Sequence, residues 1–124
     1  MLAATCLALA IYYEARDQPI DGQLAVAEVI LNRVESPRHP NDVCGVVWDP
    51  RQFSFTHDGL PENPQEPIWD SIELMAEQIL DDPDQTLLGI DATHYHATYV
   101  SPYWSRVLTR TGQIGDHIFY TEES

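Results

Sequence analysis

The spacing of apolar residues predicts three longer helices and one shorter helix in the first two thirds of the chain. Apolar positions recur with helical periodicity over residues 3–16, 23–35 and 68–80. The second of these segments is apolar on nearly every face, which predicts a central buried helix, with Asp21 as its N-cap. The shorter helix is predicted over residues 43–47, behind Asn41-Asp42, which can cap its first turn.

The C-terminal part of the chain has a different pattern. Residues 92–97 and 117–121 have the composition of short strands, and residues 111–115 carry turn-forming residues ahead of the second strand. The sequence therefore predicts a mainly α (α+β) fold, in which a helical domain carries a small β-hairpin or strand pair near its C-terminus. The length of 124 residues suits a single domain over residues 1–124.

Charge excludes two classes of partner. The chain has 6 Lys and Arg against 20 Asp and Glu, for a formal net charge of −14. Nucleic acids and anionic membrane surfaces both require basic patches, so neither is an expected partner. No segment reaches the length of a membrane span. The apolar stretch 1–13 lacks a basic n-region, so we expect it to form the first helix of the fold rather than a signal peptide.

Glu14 is the most informative polar position. Helical spacing places it on the same face as Ala3, Leu7 and Ala10, which is expected to pack inward. A carboxyl group on such a face loses water, which raises its pKa and keeps it protonated, as general acid catalysis requires. The alternative is that Glu14 has reached the helix end and points into solvent. Glu28 lies within the central helix, where a structural role is favoured over a catalytic one.

The histidines offer a second chemistry. His94 and His96 share one face of a predicted strand, and with His117 or His57 they could complete a zinc site. No metal-binding motif frames them, so no metal is expected. Tyr95 points to the opposite face of that strand. Asn32-Arg33 is expected to serve structure, with the arginine bonding to backbone carbonyls or a carboxylate.

Several separated motifs, taken in order, resemble the SleB/CwlJ-type cell wall hydrolases. They are Ile11-Tyr12-Tyr13-Glu14-Ala15-Arg16, Gly22-Gln23-Leu24-Ala25-Val26-Ala27, Leu31-Asn32-Arg33-Val34, Val43-Cys44-Gly45-Val46-Val47, Gln52-Phe53-Ser54, Ala92-Thr93-His94-Tyr95-His96-Ala97, Pro102-Tyr103-Trp104-Ser105 and Gly115-Asp116-His117-Ile118-Phe119-Tyr120. Together they cover nearly the whole chain. The chain departs from the family pattern at Asp17-Gln18-Pro19, where many members carry Gly-Glu, and we expect this to change a loop rather than the chemistry.

The resemblance implies a lysozyme-like fold that cleaves peptidoglycan glycan strands between N-acetylmuramic acid and N-acetylglucosamine, often as a lytic transglycosylase. It implies Glu14 as the catalytic residue, with no cofactor, and Tyr95 and His96 near the site. The alternatives are a hydrolytic muramidase, a zinc-dependent amidase using the histidines, and a non-catalytic glycan-binding module. We expect a monomer that acts in the cell envelope or periplasm, outside the cell, or on a host cell wall if phage-encoded.

The resemblance bears on two further sets of residues: the two cysteines and the residues that could bind a sugar. The spacing of Cys6 and Cys44 matches no zinc motif and leaves free thiols or a disulfide open, and the resemblance favours the disulfide. The segment 49–67 is predicted as a long loop, which is usually functional in a small domain. Within it, Phe53 can stack on a sugar or anchor the loop in the core, while Gln52 and Ser54 can hydrogen-bond to a sugar. Trp104 is a further candidate for sugar stacking.

Overall fold

The computed structural model describes residues 2–49, 53 and 63–122, and in them helices precede a small antiparallel sheet. The helices are α1 (Ala3–Ala15), α2 (Ile20–Val34), α3 (Val43–Trp48), α4 (Pro67–Asp81) and α5 (Pro83–Thr86). The strands are β1 (His94–Ala97), β2 (Thr109–Ile114) and β3 (His117–Thr121), with a 3-10 turn at Tyr103–Arg106. The predicted mainly α fold with a small C-terminal sheet is confirmed.

Helix α1 lies at the centre of the core and contacts α2, α3 and α4. Residues 6–11 are fully buried around its whole circumference, and alanine occupies two of these positions. Small side chains let neighbouring helices approach closely, so α1 can be enclosed on all sides. The sequence predicted this central role for α2, which is indeed largely buried, but α1 shares it because its apolar run is almost uninterrupted.

The observed N-cap agrees with the predicted one for α3 and differs from it for α2. The Asp42 side chain accepts a hydrogen bond of 2.7 Å from the Gly45 amide, as predicted for the start of α3. Helix α2 begins earlier than predicted, with Pro19 as its N-cap, so Asp21 is not the cap. Asp21 lies instead in the first turn, where a carboxylate interacts favourably with the helix dipole.

The sheet has the strand order β1-β3-β2, and both strand pairs are antiparallel. The segment 111–115, predicted as a turn, contributes to β2, and the turn to β3 falls at Gly115 and Asp116. Gly115 has φ +56°, a conformation that favours glycine, and a side chain there would collide with Gln18. The C-terminal hairpin is therefore held close to the segment that joins α1 to α2.

Polar side chains of α2 hold the two parts of the molecule together. Gln23 donates hydrogen bonds of 3.2 and 3.3 Å to the carbonyls of Ala15 and Arg16 at the end of α1. On the other side, α2 binds the backbone of residues 88–93, which lead into β1. Glu28 accepts from the amides of Leu88 and Gly89 at 2.9 and 3.0 Å, Asn32 donates to the carbonyls of Ile90 and Ala92 at 3.1 and 2.8 Å, and Arg33 Nε donates to the Thr93 carbonyl at 2.7 Å.

A disulfide between Cys6 and Cys44 joins α1 to α3, so the cysteine pair favoured by the resemblance is confirmed. The cysteines are 38 positions apart in the sequence. No helix in the described part of the chain is both long enough and apolar enough to cross a membrane.

Removing the disulfide should lower the stability of the domain. In the chain-entropy model, a cross-link closing a loop of this length constrains the unfolded chain, and the free energy of unfolding should fall by about 3–4 kcal/mol in a Cys6→Ala/Cys44→Ala variant. Denaturant unfolding of the oxidised wild type and the variant measures the difference. Reduced wild type should unfold like the variant, whereas equal stability of the oxidised protein and the variant would contradict the prediction.

Candidate active site

The site is built around Glu14, in the last turn of α1. Its side chain is half-buried, because the packing face of α1 reaches the surface at this position. The Tyr95 hydroxyl, from β1, donates a 2.7 Å hydrogen bond to Glu14 Oε1. This bond joins the two structural parts of the domain at one carboxyl group.

Three influences act on the protonation of Glu14. Burial raises its pKa, and this influence is the largest. The hydrogen bond from Tyr95 and the positive charge of Arg33 both lower the pKa without cancelling the effect of burial. The sequence-based expectation of a desolvated Glu14 with a raised pKa therefore matches its surroundings. A carboxyl group in this state can donate a proton at a pH at which an ordinary glutamate cannot.

Two hollows adjoin Glu14 and share part of their walls. The first, of about 300 Å³, is lined by Arg33, Phe53, Tyr95, His96 and Val100, among others. The second, of about 340 Å³, is more polar and is lined by Arg16, Asp17, Gln18 and Asp116, among others. Tyr13, Glu14, Ala97, Tyr99 and His117 belong to both. We refer to the two hollows together as the Glu14 groove, and Glu14 lies where they meet.

The structure brings some of the predicted site residues into the groove. Tyr95 and His96 both line it, although alternation along β1 places their side chains on opposite faces of the strand, while His94 does not. Phe53 is only 2% exposed, and its ring centre lies 5.6 Å from the guanidinium of Arg33. It therefore belongs to the hydrophobic core and also lines the groove. Gln52 and Ser54 lie outside the described residues.

Trp104 is not among the residues that line the Glu14 groove. It is half-buried, and its ring packs edge-on against His94, His96 and Tyr120, with centroid distances of 5.2, 5.6 and 5.2 Å. It thereby supports the opposite face of β1 from the one that carries Tyr95. A role for Trp104 in sugar binding stays a prediction.

His94 and His96 are both engaged in hydrogen bonds. His96 Nε2 lies 2.9 Å from the Tyr120 hydroxyl and His96 Nδ1 lies 2.7 Å from the Ala97 carbonyl. His94 Nδ1 lies 3.1 Å from the Thr93 hydroxyl, and burial together with the charge of Arg33 lowers the pKa of His94 to about 4. Within residues 2–49, 53 and 63–122, no three His, Cys, Asp or Glu side chains lie together so that they could hold a metal ion. His57 lies outside that part of the chain.

Glu28 has a structural role and lies apart from the Glu14 groove. It is 5% exposed, and its carboxylate accepts hydrogen bonds from the backbone that follows α5. Burial raises its pKa, and these backbone hydrogen bonds oppose that effect. The sequence-based preference for a structural Glu28 agrees with these contacts.

The groove also contains residues that were not predicted as site residues, among them Tyr13, Arg33, Tyr99 and His117. Tyr99 is 85% exposed, and only its position just after the predicted strand 92–97 could have drawn attention to it. Arg33 was predicted to bond to backbone carbonyls, which it does through Nε, but its guanidinium also reaches the wall of the groove. His117 was considered only as a zinc ligand, since nothing local places it beside Glu14.

The chain is similar to a known family and to longer relatives. The family model for Cell Wall Hydrolase matches residues 17–120, a range that begins just after Glu14. The chain is 38% identical to the spore cortex-lytic enzyme of Bacillus subtilis strain 168 and 36% identical to that of Oceanobacillus iheyensis, each over 121 residues. These alignments cover 91% of this chain but 35% and 39% of the two relatives. The chain therefore spans little more than a third of the length of these curated relatives.

Two solved structures are similar over nearly the whole chain. The catalytic domain of the germination-specific lytic transglycosylase SleB from Bacillus anthracis aligns with a TM-score of 0.73 and 32% identity, covering 96% of this chain and 93% of that one. The catalytic domain of the Bacillus cereus SleB protein aligns with a TM-score of 0.72 and 33% identity, covering 96% and 89%. The fold is that of the SleB catalytic domain, and the predicted lysozyme-like class is confirmed.

Replacing Glu14 by glutamine should stabilise the domain at neutral pH. Because the pKa of Glu14 is raised in the folded state, the folded protein holds this proton more tightly than the unfolded chain does. Glu14 therefore causes stability to fall as pH rises from the ordinary glutamate pKa to the raised value. Thermal unfolding of wild type and Glu14→Gln as a function of pH should show equal stability in acid and a higher midpoint for the variant at neutral pH. A constant difference at every pH would contradict this assignment.

Removing the Tyr95 hydroxyl should raise the pKa of Glu14 further. The hydrogen bond from Tyr95 favours the ionised carboxylate, so a Tyr95→Phe variant loses one of the two influences that lower this pKa. Titration of the Glu14 carboxyl carbon by NMR measures the shift directly. A Tyr103→Phe variant is the matched control, because Tyr103 is exposed and does not line the groove. An unchanged or lowered Glu14 pKa in Tyr95→Phe would show that the bond has no such effect.

Proposed function

The chain belongs to the cell wall hydrolase family, and we propose that it cleaves peptidoglycan glycan strands as a lytic transglycosylase, with Glu14 as its single catalytic acid and base. The observation that carries this proposal is the state of Glu14: a desolvated carboxyl group with a raised pKa, held by Tyr95 where two hollows meet. The spore cortex-lytic and lytic transglycosylase activities of the relatives support the same choice of substrate and reaction.

In the first step, Glu14 acts as the acid. Tyr95 donates its hydroxyl hydrogen to Oε1, which leaves Oε2 to carry the acid proton. Glu14 gives this proton to the glycosidic oxygen between N-acetylmuramic acid and N-acetylglucosamine. The bond to C1 of the muramic residue then breaks through an oxocarbenium-like state, and the glucosamine leaves with a free hydroxyl group. The Arg33 charge and the Tyr95 hydrogen bond stabilise the carboxylate that forms, since both favour the ionised Glu14.

In the second step, the same carboxylate acts as the base. It takes the proton of the C6 hydroxyl of the muramic residue, and the C6 oxygen attacks C1 to close a 1,6-anhydro ring. The proton that left Glu14 in the first step is thereby restored. A single carboxyl group is sufficient for this sequence, whereas glycosidases that use water generally need two.

Hydrolysis is the second candidate function, and one observation favours it. Asp17 and Asp116 line the second hollow beside Glu14, so carboxylates are present on that side of the groove. Asp116 is engaged by Gln18, whose side chain donates to its carboxylate at 3.1 Å and accepts from its backbone amide at 2.9 Å. We favour transglycosylation because these two hydrogen bonds give Asp116 a structural role: they attach the C-terminal hairpin to the segment between α1 and α2. The products of the reaction distinguish the two functions.

The setting of the reaction follows from the substrate. Peptidoglycan lies outside the cytoplasm, so we propose that the domain acts in the cell envelope or extracellularly, or on a host cell wall if the source is a phage. The Cys6–Cys44 disulfide supports this proposal, because disulfides persist in oxidising compartments. Neither nucleic acid nor an anionic membrane surface suits a chain with a net charge of −14.

The proposed reaction predicts a specific product and its loss on one substitution. Wild type incubated with purified peptidoglycan should release muropeptides with 1,6-anhydro ends, as detected by mass spectrometry. Glu14→Gln should lower the rate by about 10²–10⁴-fold, because glutamine can neither donate nor accept the proton. Glu28→Gln is the matched control: it alters a buried glutamate that does not line the groove, and it should keep most of the activity.

Each alternative gives a different result. Reducing ends from the wild type would establish hydrolysis and direct attention to Asp17 and Asp116. Free stem peptides that persist in Glu14→Gln and disappear with EDTA would establish a zinc amidase. Binding to peptidoglycan without any released fragment would establish a glycan-binding module and overturn the catalytic role of Glu14.

A further inference from the structure

Gln18 holds the turn between β2 and β3 with both ends of its side-chain amide. Its Nε2 donates a hydrogen bond of 3.1 Å to the Asp116 carboxylate, and its Oε1 accepts one of 2.9 Å from the Asp116 backbone amide. The turn can come this close because Gly115 has no side chain, and a side chain there would collide with Oε1 of Gln18. We refer to this pair of hydrogen bonds as the Gln18 clasp.

The Gln18 clasp joins two walls of the Glu14 groove. Gln18 and Asp116 both line the second hollow. On one side, the backbone amide of Gln18 donates to the Ala15 carbonyl at 3.0 Å, which ties the clasp to the end of α1. On the other side, the Asp116 carbonyl accepts from the Thr98 amide at 2.8 Å, in the segment that follows β1. The clasp therefore fixes the position of this segment relative to the end of α1.

We propose that Gln18 is a positioning residue for the reaction, because its clasp holds the second hollow in the shape that receives the substrate. This inference rests on the proposed function, since it concerns the same groove. The residues on either side of Thr98 and the residue after Asp116 all line the hollow, so the clasp acts directly beside them. Without the clasp, the substrate would have to bring these walls together as it binds, and that free energy would be lost from binding.

The hydrogen bonds of the clasp require a neutral amide at position 18. Asp116 presents one acceptor, its carboxylate, and one donor, its backbone N–H. The Gln18 side chain meets both, because an amide carries a donor group and an acceptor group. An ionised glutamate can only accept, so it would place a second carboxylate against that of Asp116 and lose one of the two bonds.

Gln18→Glu tests the clasp with almost no change of size. At neutral pH, kcat/KM for the release of 1,6-anhydro fragments from solubilised peptidoglycan should fall roughly three- to tenfold, mainly through a higher KM, because repulsion replaces one hydrogen bond. The ratio of the variant to wild type should recover as the pH falls towards about 4–5, since the two carboxyl groups can then share a proton. Both proteins keep the other titratable groups that line the second hollow, which are Tyr13, Glu14, Arg16, Asp17, Tyr99 and His117.

A second substitution should repair the first. In a Gln18→Glu/Asp116→Asn variant the partners exchange roles, because the new amide and the backbone N–H of position 116 can both donate to the carboxylate at position 18. Most of the lost kcat/KM should return at neutral pH, and the pH dependence of the ratio should disappear. Gln85→Glu is the matched control: it adds the same charge at an exposed position of α5 that does not line the groove, and it should leave kcat/KM unchanged.

The outcomes separate this inference from the function on which it rests. Unfolding midpoints at each pH set an assay temperature at which every variant is folded. A Gln18→Glu variant with a lowered midpoint but the kcat/KM of wild type would show that the clasp is structural only and would overturn the inference. A loss of activity that persists in acid and in the double variant would overturn it as well. Wild type that releases no glycan fragments would overturn the proposed function and this inference together.

Discussion

The geometry of this domain depends on the need to satisfy polar groups carried by a buried helix. Helix α2 carries Gln23, Glu28 and Arg33 into the interior and holds Asn32 half-buried, and an unpaired polar side chain in the interior would be costly. Each of them bonds to backbone outside α2: Gln23 to the end of α1, and the other three to residues 88–93. The first bond fixes the helix end that carries Glu14, and the others fix the strand that carries Tyr95. The contact between Glu14 and Tyr95 therefore depends on the hydrogen bonds that the polar side chains of α2 make to these two segments.

The sequence predicted what depends on local periodicity and missed what depends on distant contacts. The four predicted helices are present because the apolar residues that recur at helical spacing in each of them pack into the core. The face shared by Ala3, Leu7, Ala10 and Glu14 likewise pointed to a desolvated carboxyl group. Strand β2 was missed in part because 111–115 carries turn residues, and its pairing with β3 outweighs that local preference. His117 and Tyr99 could not be placed beside Glu14, since only the tertiary fold brings 97–117 to the end of α1.

The pKa of Glu14 is set by influences that oppose one another. Burial favours the protonated form of Glu14, while Tyr95 and Arg33 favour the ionised form. Without burial the acid would be ionised before substrate arrives, while the Tyr95 hydrogen bond and the Arg33 charge favour the carboxylate that forms when the proton is released. Arg33 takes part in this balance although its Nε is committed to the Thr93 carbonyl. One residue thus connects the position of β1 to the proton affinity of the acid.

Gln23 and Arg33 bond to the end of α1 and to the residue before β1, so helix α2 sets the distance between these two segments. Gln23 and Arg33 lie on one continuous helix, so their separation is set by the rise of about 1.5 Å per residue. Adding or deleting one residue between them would shift one anchor by that distance and rotate it by about 100° around the axis. Gln23 and Arg33 could then no longer serve the α1 terminus and the β1 strand at the same time. Length variation should therefore be tolerated in surface loops such as 35–41, while the interval from 23 to 33 admits none.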